Sequence, residues 1–199
     1  MHPDPRFRWS DQEAMRAFVA ETAFALIAAI IDGRPATAQA PLLMAPDGSV
    51  HFHLSRANRL APVLAGAPVI ASVMGQHFYV SPDWYGTADQ VPTWNYRLVE
   101  IEGVVRRLDE AELRDQVDGL SAAHEARLAP KPAWASAKMD QLKHSRMVGA
   151  IAGFAIDAPR FAGTIKMGQN KSDDEAAGAI AALRALGQAG AADEMEQAR

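Results

Sequence analysis

The chain has 199 residues, a formal net charge of −4 and no cysteine. The lack of cysteine excludes disulfide bonds, thiolate metal sites and cysteine nucleophiles, and the acidic balance argues against a general attraction to nucleic acid. The N-terminal segment is polar, and the longest apolar run, residues 24–31, is too short to span a bilayer. We therefore expect a soluble, cytoplasmic protein that does not enter a membrane.

The elements predicted for the first half of the chain are a short helix, three strands, one or two helical turns and two more strands. In chain order they lie at residues 11–22, 24–31, 37–44, 50–54, 60–64, 69–74 and 78–80. Ser10 and Glu13 match a capping box at the start of the helix. The apolar composition of residues 24–31 predicts a buried strand, and Asp32-Gly33 after it is a strong hairpin turn. The pattern predicts a meander of antiparallel strands.

The second half of the chain begins with a polar loop at residues 81–90. The strands and helices after it are predicted at residues 99–106, 109–127, 139–147, 148–157, 163–167 and 172–186. Asp109 with Glu112 and Ser172 with Glu175 match the caps of two of these helices. Short strands with interspersed helices indicate an α+β fold around a mainly antiparallel sheet or barrel. We predict one domain over residues 1–187 and a disordered tail over residues 188–199.

The segment from His51 to Asn58 carries the first group of candidate binding residues. Ser55, Arg56 and Asn58 follow a strand, where free backbone N–H groups and side-chain donors together suit an anion. The alternative is a capped helix start in which Arg56 is only solvated. His51 and His53 share a strand face and could begin a metal site, but the sequence offers no third ligand.

The polar loop carries one aromatic pair, Trp84 and Tyr85, and a second pair, Trp94 and Tyr96, follows it. Together they can form a flat apolar wall for a planar ring, with Asn95 at its polar edge. The alternative is a core or a subunit interface built from the same aromatic residues.

Two further segments complete the candidate set. Residues 166–172 end a strand and enter a helix cap, and they include Lys166 as a cation and Gln169 as an amide. Thr37 and Gln39 share one face of a predicted strand, where they are either binding groups or ordinary exposed residues. The sequence has no nucleophile with an evident base, no Walker loop and no dinucleotide-binding glycine motif. The residues alone predict a pocket for an anion and a planar ring.

Four segments, taken in order, resemble the sequence blocks of the PaiB family of flavin-binding transcriptional regulators. They are His53-Leu-Ser-Arg-Ala-Asn58, Tyr79-Val-Ser-Pro-Asp-Trp-Tyr85, Val91-Pro-Thr-Trp-Asn-Tyr96 and Lys166-Met-Gly-Gln-Asn-Lys171. The similarity spans nearly the whole chain. Two departures are Gln39, where the family often has histidine, and Met167-Gly168, which replaces the usual Leu-Ser.

The resemblance implies an antiparallel split β-barrel with peripheral helices, related to pyridoxamine-phosphate oxidases and flavin reductases. In this family the barrel forms a homodimer with FMN at the subunit interface. Carried over by position, the cofactor contacts are Thr37, Gln39, His53, Ser55, Arg56 and Asn58. The residues implied to lie near the flavin ring or at the interface are Trp94, Asn95, Lys166 and Gln169.

For function, the resemblance implies a regulator of transcription that uses FMN as a sensing or structural ligand. The alternative is an FMN-dependent oxidoreductase, of the flavin reductase or pyridoxamine-phosphate-oxidase type, that uses NADH or NADPH. The sequence contains neither a helix-turn-helix nor a basic recognition helix, so direct DNA binding is not expected. The partners that we expect are FMN and a second copy of the chain, with no metal and no membrane.

Overall fold

The computed structural model describes residues 2–199, which form two compact units. The barrel unit comprises Arg16–Val73 and Ile101–Phe161, and the terminal unit comprises the residues up to Met15 together with Met74–Glu100 and Ala162–Arg199. Both units are assembled from separate stretches of the chain. The sequence therefore has no linear boundary of the kind that a linker would mark.

Residues 2–199 contain eight strands and five α-helices. The strands are β1 (Arg8–Trp9), β2 (Phe24–Ile31), β3 (Arg34–Met44), β4 (Val50–Ser55), β5 (Pro68–Val80), β6 (Thr93–Arg107), β7 (Ile151–Ile156) and β8 (Arg160–Lys166). The helices are α1 (Gln12–Thr22), α2 (Glu110–Ala126), α3 (Gln141–Gly149), α4 (Asp173–Ala185) and α5 (Ala189–Gln197). Short 3₁₀ turns lie at Pro5–Phe7, Pro82–Tyr85 and Ser136–Lys138.

Six strands form a closed ring in the order β5-β2-β3-β4-β7-β6, with β6 again beside β5. Strand β2 pairs antiparallel with β3 and β5, β4 with β3 and β7, and β7 with β6. Asp32 and Gly33 make the predicted hairpin turn, because both adopt the positive φ that its turn type requires. Val105 exchanges backbone hydrogen bonds with Gly66 and Ala67 where the ring closes. The predicted antiparallel barrel within an α+β fold is confirmed.

The side chains of the barrel strands alternate between a packed interior and an outer face. Inside, Ile27 and Leu42 are fully buried, and the rings of Phe52 and Phe154 stack with their centroids 5.3 Å apart. The outward side chains of β2 stay exposed, and 65% of Ile30 is accessible to solvent. The prediction of a buried strand at β2 is therefore wrong in part, because only one of its two apolar faces is covered.

Helices α2 and α3 cover the outer face of the ring at β7. Helix α2 begins with a capping box in which Asp109 accepts a hydrogen bond from the N–H of Glu112 and Glu112 accepts one from the N–H of Asp109. Leu113 of this helix packs with Leu108 and Val148 on Ala155 of β7. The predicted cap and helix are confirmed, and the outer faces of β2, the first part of β3 and the adjoining parts of β5 and β6 stay exposed.

The terminal unit has its own core, which α4 and α5 build with parts of β5 and the 3₁₀ turn at Pro82–Tyr85. The predicted disordered tail is instead helix α5, whose residues Ala191, Ala192 and Met195 are buried. Arg184 of α4 forms ion pairs with two acidic residues of α5. The spacing of the three buried residues follows a helical face, a signal hidden by the small side chains around them.

Three other predictions differ locally. Helix α1 is capped by Asp11, which accepts a hydrogen bond from the N–H of Ala14, rather than by Ser10. The two strands predicted at 69–74 and 78–80 form one continuous strand, β5. The helical turns predicted at residues 60–64 are reduced to a single turn, in which the N–H of Leu64 donates to the carbonyl of Leu60.

Gly178 of α4 packs directly on the backbone of the 3₁₀ turn, since a Cβ atom there would lie 2.3 Å from the carbonyl oxygen of Trp84. Alanine improves helix propensity by about 1 kcal/mol, but overpacking costs about 1–3 kcal/mol. We expect Gly178→Ala to lower the midpoint of thermal unfolding, measured by circular dichroism. Ala181→Gly, at an exposed position of α4, measures the propensity effect alone. A more stable Gly178→Ala protein would contradict the close packing.

The start of α4 should lose stability in acid. Hydrogen bonds from the N–H of Ser172 and from Thr87 hold the pKa of Glu175 below its usual value of 4.5. Because the pKa is lower in the folded state, the stabilisation is complete above pH 4.5 and is lost as the pH falls through the lowered pKa. We expect Glu175→Gln to unfold at a lower temperature than the parent at pH 7. The difference should disappear in acid, and a difference that persists there would contradict this role.

Candidate functional site

Thr37 and Gln39 lie together on the exposed outer face of β3. In the register of the β2–β3 hairpin, Thr37 is opposite Ala28 and Gln39 is opposite Leu26. Two hydrogen-bonding side chains therefore stand directly beside the apolar outer face of β2. The sequence predicted that Thr37 and Gln39 share a face, and the structure adds their apolar neighbours.

His53 and Ser55 lie with His51 on the outer face of the next strand, β4, whose alternate side chains point into the barrel. The ring nitrogen Nδ1 of His53 is 2.9 Å from Oε1 of Gln116 in α2. Gln116 is fully buried, and its Nε2 has no partner within the described part of the chain. Helix α2 thus fixes one side of the imidazole ring through this contact.

The chain turns sharply after β4, and no helix begins there. Oγ of Ser55 accepts a hydrogen bond from the N–H of Ala57, and Oδ1 of Asn58 accepts one from the N–H of Leu60. These two side chains are used to shape the turn, as Ser and Asn commonly are. The alternative of a capped helix start is therefore wrong, because these bonds shape a turn.

Arg56 projects from the turn with an exposed side chain. Its Nε donates to the carbonyl oxygen of Gly149 at 2.7 Å, and its backbone N–H donates to the carbonyl of Ala150. Among residues 2–199, no acceptor contacts the two terminal nitrogens of its guanidinium group. Arg56 is therefore oriented by one bond and keeps a planar fork of donors free for an anion.

An open groove of about 940 Å³ crosses the outer face of β2, β5 and β6 in the barrel unit. Its floor is apolar, and two ion pairs, Arg106 with Asp157 and Arg160 with Glu102, lie along its rim. We call the outward-facing apolar residues of these strands the apolar strip. The strip consists of Leu26, Ala28, Ile30, Ile70 and Val104.

The other four predicted site residues lie in the terminal unit. Trp94 is 57% exposed and contacts the rings of His77 and Tyr79, with both centroid distances 6.4 Å. Asn95 is buried, and its Nδ2 lacks a partner in the described structure. Trp94 thus belongs to an exposed aromatic cluster, whereas Asn95 points into the protein.

Lys166 and Gln169 hold their own segment of the terminal unit together. Nζ of Lys166 donates to the carbonyl of Trp94 at 2.6 Å and to the hydroxyl of Thr93. Burial lowers the pKa of Lys166, and the charge of Lys171 lowers it further. Gln169 accepts from the N–H of Met167 and donates to the carbonyl of Ile165, which closes the loop after β8. Both side chains have structural partners in addition to their predicted roles.

Sequence reasoning missed Gln116 and the apolar strip. Gln116 lies three residues after Leu113, on the buried side of α2, and a polar residue in an apolar helical face was the available signal. The signal for the strip was the unbroken apolar run of β2, which fills both faces of the strand.

A model of the family described as "Putative FMN-binding domain" matches residues 1–160. The chain belongs to this FMN-binding family. A relative from Bacillus subtilis (strain 168), "Protease synthase and sporulation protein PAI 2", is 25% identical over 173 residues, which are 85% of this chain and 82% of the relative. The match confirms the resemblance to the PaiB family.

Solved structures similar to this FMN-binding protein include two bacterial flavoproteins. The FAD and heme binding protein of Mycobacterium smegmatis gives a TM-score of 0.61 at 19% identity, over 85% of this chain and 78% of that one. The flavocytochrome Anf3 of Azotobacter vinelandii gives a TM-score of 0.60 at 21% identity, over 89% and 78%. These likenesses support the split-barrel fold.

The residues of the barrel unit fit the cofactor of the FMN-binding family. The free guanidinium fork of Arg56 suits a phosphate, and the polar pair beside the apolar strip suits a ring with a polar edge. Within residues 2–199, no group of three or more His, Asp or Glu side chains could hold a metal ion. None of the helices described is long and apolar enough to cross a membrane.

Proposed function

We propose that this protein is a homodimeric regulatory protein that holds FMN on the outer face of its barrel unit as a sensing or structural ligand. The observation that carries the proposal is the exposed, oriented and otherwise unpaired guanidinium of Arg56 at the end of β4. Thr37 and Gln39 stand on the same outer face of the ring, beside an apolar surface. A charged, a polar and an apolar region on one unit match the three parts of FMN.

Each residue has a separate role in this proposal. Arg56 binds the terminal phosphate, while Ser55 and Asn58 hold the turn that orients it. Thr37, Gln39 and His53 offer hydrogen bonds to the polyol chain or the ring edge. When bound, FMN supplies redox chemistry that no side chain of this protein has. Trp94, Asn95, Lys166 and Gln169 remain predicted contacts of the flavin ring or the subunit interface.

The proposed dimer covers the apolar strip with a second copy of the chain. Burying apolar surface is favourable by about 25 cal/mol per Å², and a two-fold interface brings the same patch of both copies together. A contiguous exposed apolar patch with a charged rim commonly marks an interaction site. The aromatic cluster at Trp94 is a second exposed surface that suits an interface.

The regulatory role is supported by the name of the Bacillus relative, which links that protein to protease synthesis and sporulation. The net charge of −4 opposes contact with DNA phosphates. We therefore propose regulation through a bound ligand or partner rather than through direct reading of DNA. An electrophoretic shift at nanomolar protein that is operator-specific and resists salt would contradict this part of the proposal.

The second candidate is an FMN-dependent oxidoreductase. The observation that favours it is the groove, which has room for a second planar molecule such as a nicotinamide beside the polar face of β3. Oxidation of NADH or NADPH by the flavin-loaded protein, well above the rate with free FMN, would support this candidate over the regulator.

The absorbance spectrum of the purified protein, followed by titration with FMN and FAD, tests the common core of both candidates. We expect a bound flavin and tighter binding of FMN than of FAD, since a single terminal phosphate suits Arg56. Equal or tighter binding of FAD would contradict the proposal.

A further inference from the structure

A second, smaller cavity of about 180 Å³ lies in the barrel unit, and three arginines are among the residues that line it. Arg56 approaches it from the turn after β4, Arg107 from the end of β6 and Arg114 from the first half of α2. These residues are far apart in the sequence. Because like charges repel, three arginines around one small cavity indicate a site that suits an anion.

Each arginine keeps donors for a ligand. Arg56 uses only its Nε and backbone N–H, and the terminal nitrogens stay unpaired in the described structure. Arg107 donates to the carbonyl of Ala61 at a long 3.4 Å, and its guanidinium lies 5.1 Å from the ring centre of Phe154. Arg114 forms one bond, 2.8 Å long, to Glu110. A guanidinium carries five N–H groups, so none of the three is saturated.

The two carboxylates that line the cavity are already engaged. Asp109 accepts a hydrogen bond from the N–H of Glu112 as the cap of α2, and Glu110 is paired with Arg114. Ser145 from α3 also lines the cavity, and a serine hydroxyl can act as a further donor. The lining therefore favours an anion with several acceptor oxygens over a cation or an apolar group.

The size of the cavity limits what can enter. Sites for whole cofactors measure about 300–1,000 Å³, so about 180 Å³ admits a phosphate group and a few waters but excludes the flavin ring system. We propose that this cavity binds a phosphate monoester. Arg107 and Arg114 form, together with Arg56, the binding site for the FMN phosphate. This inference rests on the proposed binding of FMN.

Titration of the protein with FMN and with riboflavin, which lacks the phosphate, tests whether the cavity binds the FMN phosphate. We expect Arg107→Gln and Arg114→Gln each to weaken FMN binding about 10-fold or more, the usual effect of losing a charge-assisted hydrogen bond. Riboflavin binding should not change. Arg107→Lys should recover only part of the loss, because lysine lacks the planar fork. Arg59→Gln, an exposed arginine outside the cavity, is the matched control.

The possible outcomes distinguish an error in the proposed phosphate site from an error in the proposed function. Normal FMN binding by both variants would contradict the phosphate site but not the binding of FMN. Failure of the parent to bind FMN would contradict the proposed function itself. An equal loss of affinity for FMN and riboflavin would mean that the arginines only support the fold, which also contradicts the phosphate site. Competition by millimolar inorganic phosphate against FMN but not riboflavin would support it. Inorganic phosphate alone could raise the melting temperature of the parent but not of the Arg114→Gln protein. If that variant still binds FMN like the parent, the cavity binds a separate phosphate ligand and the proposal is overturned.

Discussion

Replacing Arg56 by alanine is expected to weaken FMN binding by about 1.5–3 kcal/mol, the range for a hydrogen bond to a charged group. The guanidinium is exposed and has one backbone acceptor, so its loss removes the phosphate contact and little else. Fluorescence quenching of FMN on titration measures the change. Arg56→Lys should restore part of the affinity, because an ammonium retains the charge but not the fork.

The thermal stability and riboflavin binding of the variant are the controls for this prediction. The thermal unfolding of the Arg56→Ala protein should be close to that of the parent, because the side chain contributes little to the core. Riboflavin should bind the variant as well as the parent. If Arg56→Ala binds FMN normally while Arg59→Ala or Lys166→Ala does not, the phosphate lies elsewhere and the turn after β4 has no role beyond its shape.

A charge in the centre of the apolar strip should separate the proposed dimer into monomers. Ile30 is 65% exposed in the single chain, and the proposed dimer buries it against the apolar strip of the second copy. An unpaired buried charge costs about 3–5 kcal/mol, so Ile30→Asp should appear as a monomer by light scattering at micromolar concentration. Its folding should persist, since the side chain points away from the barrel interior.

Two matched variants show which surface carries the dimer. Leu142→Asp places the same charge at an exposed site on α3 and should leave the mass unchanged. Trp94→Asp tests the aromatic cluster that the sequence predicted as part of the interface. A dimer that survives Ile30→Asp but not Trp94→Asp would move the interface to the terminal unit, and a monomeric parent would contradict both surfaces.

The elements that could be predicted from sequence are those set by short-range chemistry. Asp32-Gly33 defines the β2–β3 hairpin, and the capping boxes at Asp109 and Ser172 define the starts of α2 and α4. Strand β5 could not be predicted as one piece. Gly75 and the polar residue after it resemble a break, but ladder pairing along the strand holds the backbone extended.

The site was predictable only where neighbouring positions share a face. Thr37 with Gln39 followed from strand alternation. The contact between His53 and Gln116 joins residues 63 positions apart, and the arginine-lined cavity joins three separate elements. Such pairings depend on how strands and helices pack, which local patterns do not encode. The family resemblance supplied the residues that we propose for the cofactor site but neither Gln116 nor the second cavity.

The closed six-strand ring of the barrel unit has a consequence for amide hydrogen exchange. A ring has no edge strand, so its backbone N–H groups cannot be released one strand at a time from an end. Releasing any one strand breaks two ladders, and exchange at Ile27, Phe52 and Phe154 should therefore proceed at a common rate set by global unfolding. The same ring offers no free strand for another chain to extend, which leaves side chains on its outer face as the means of association.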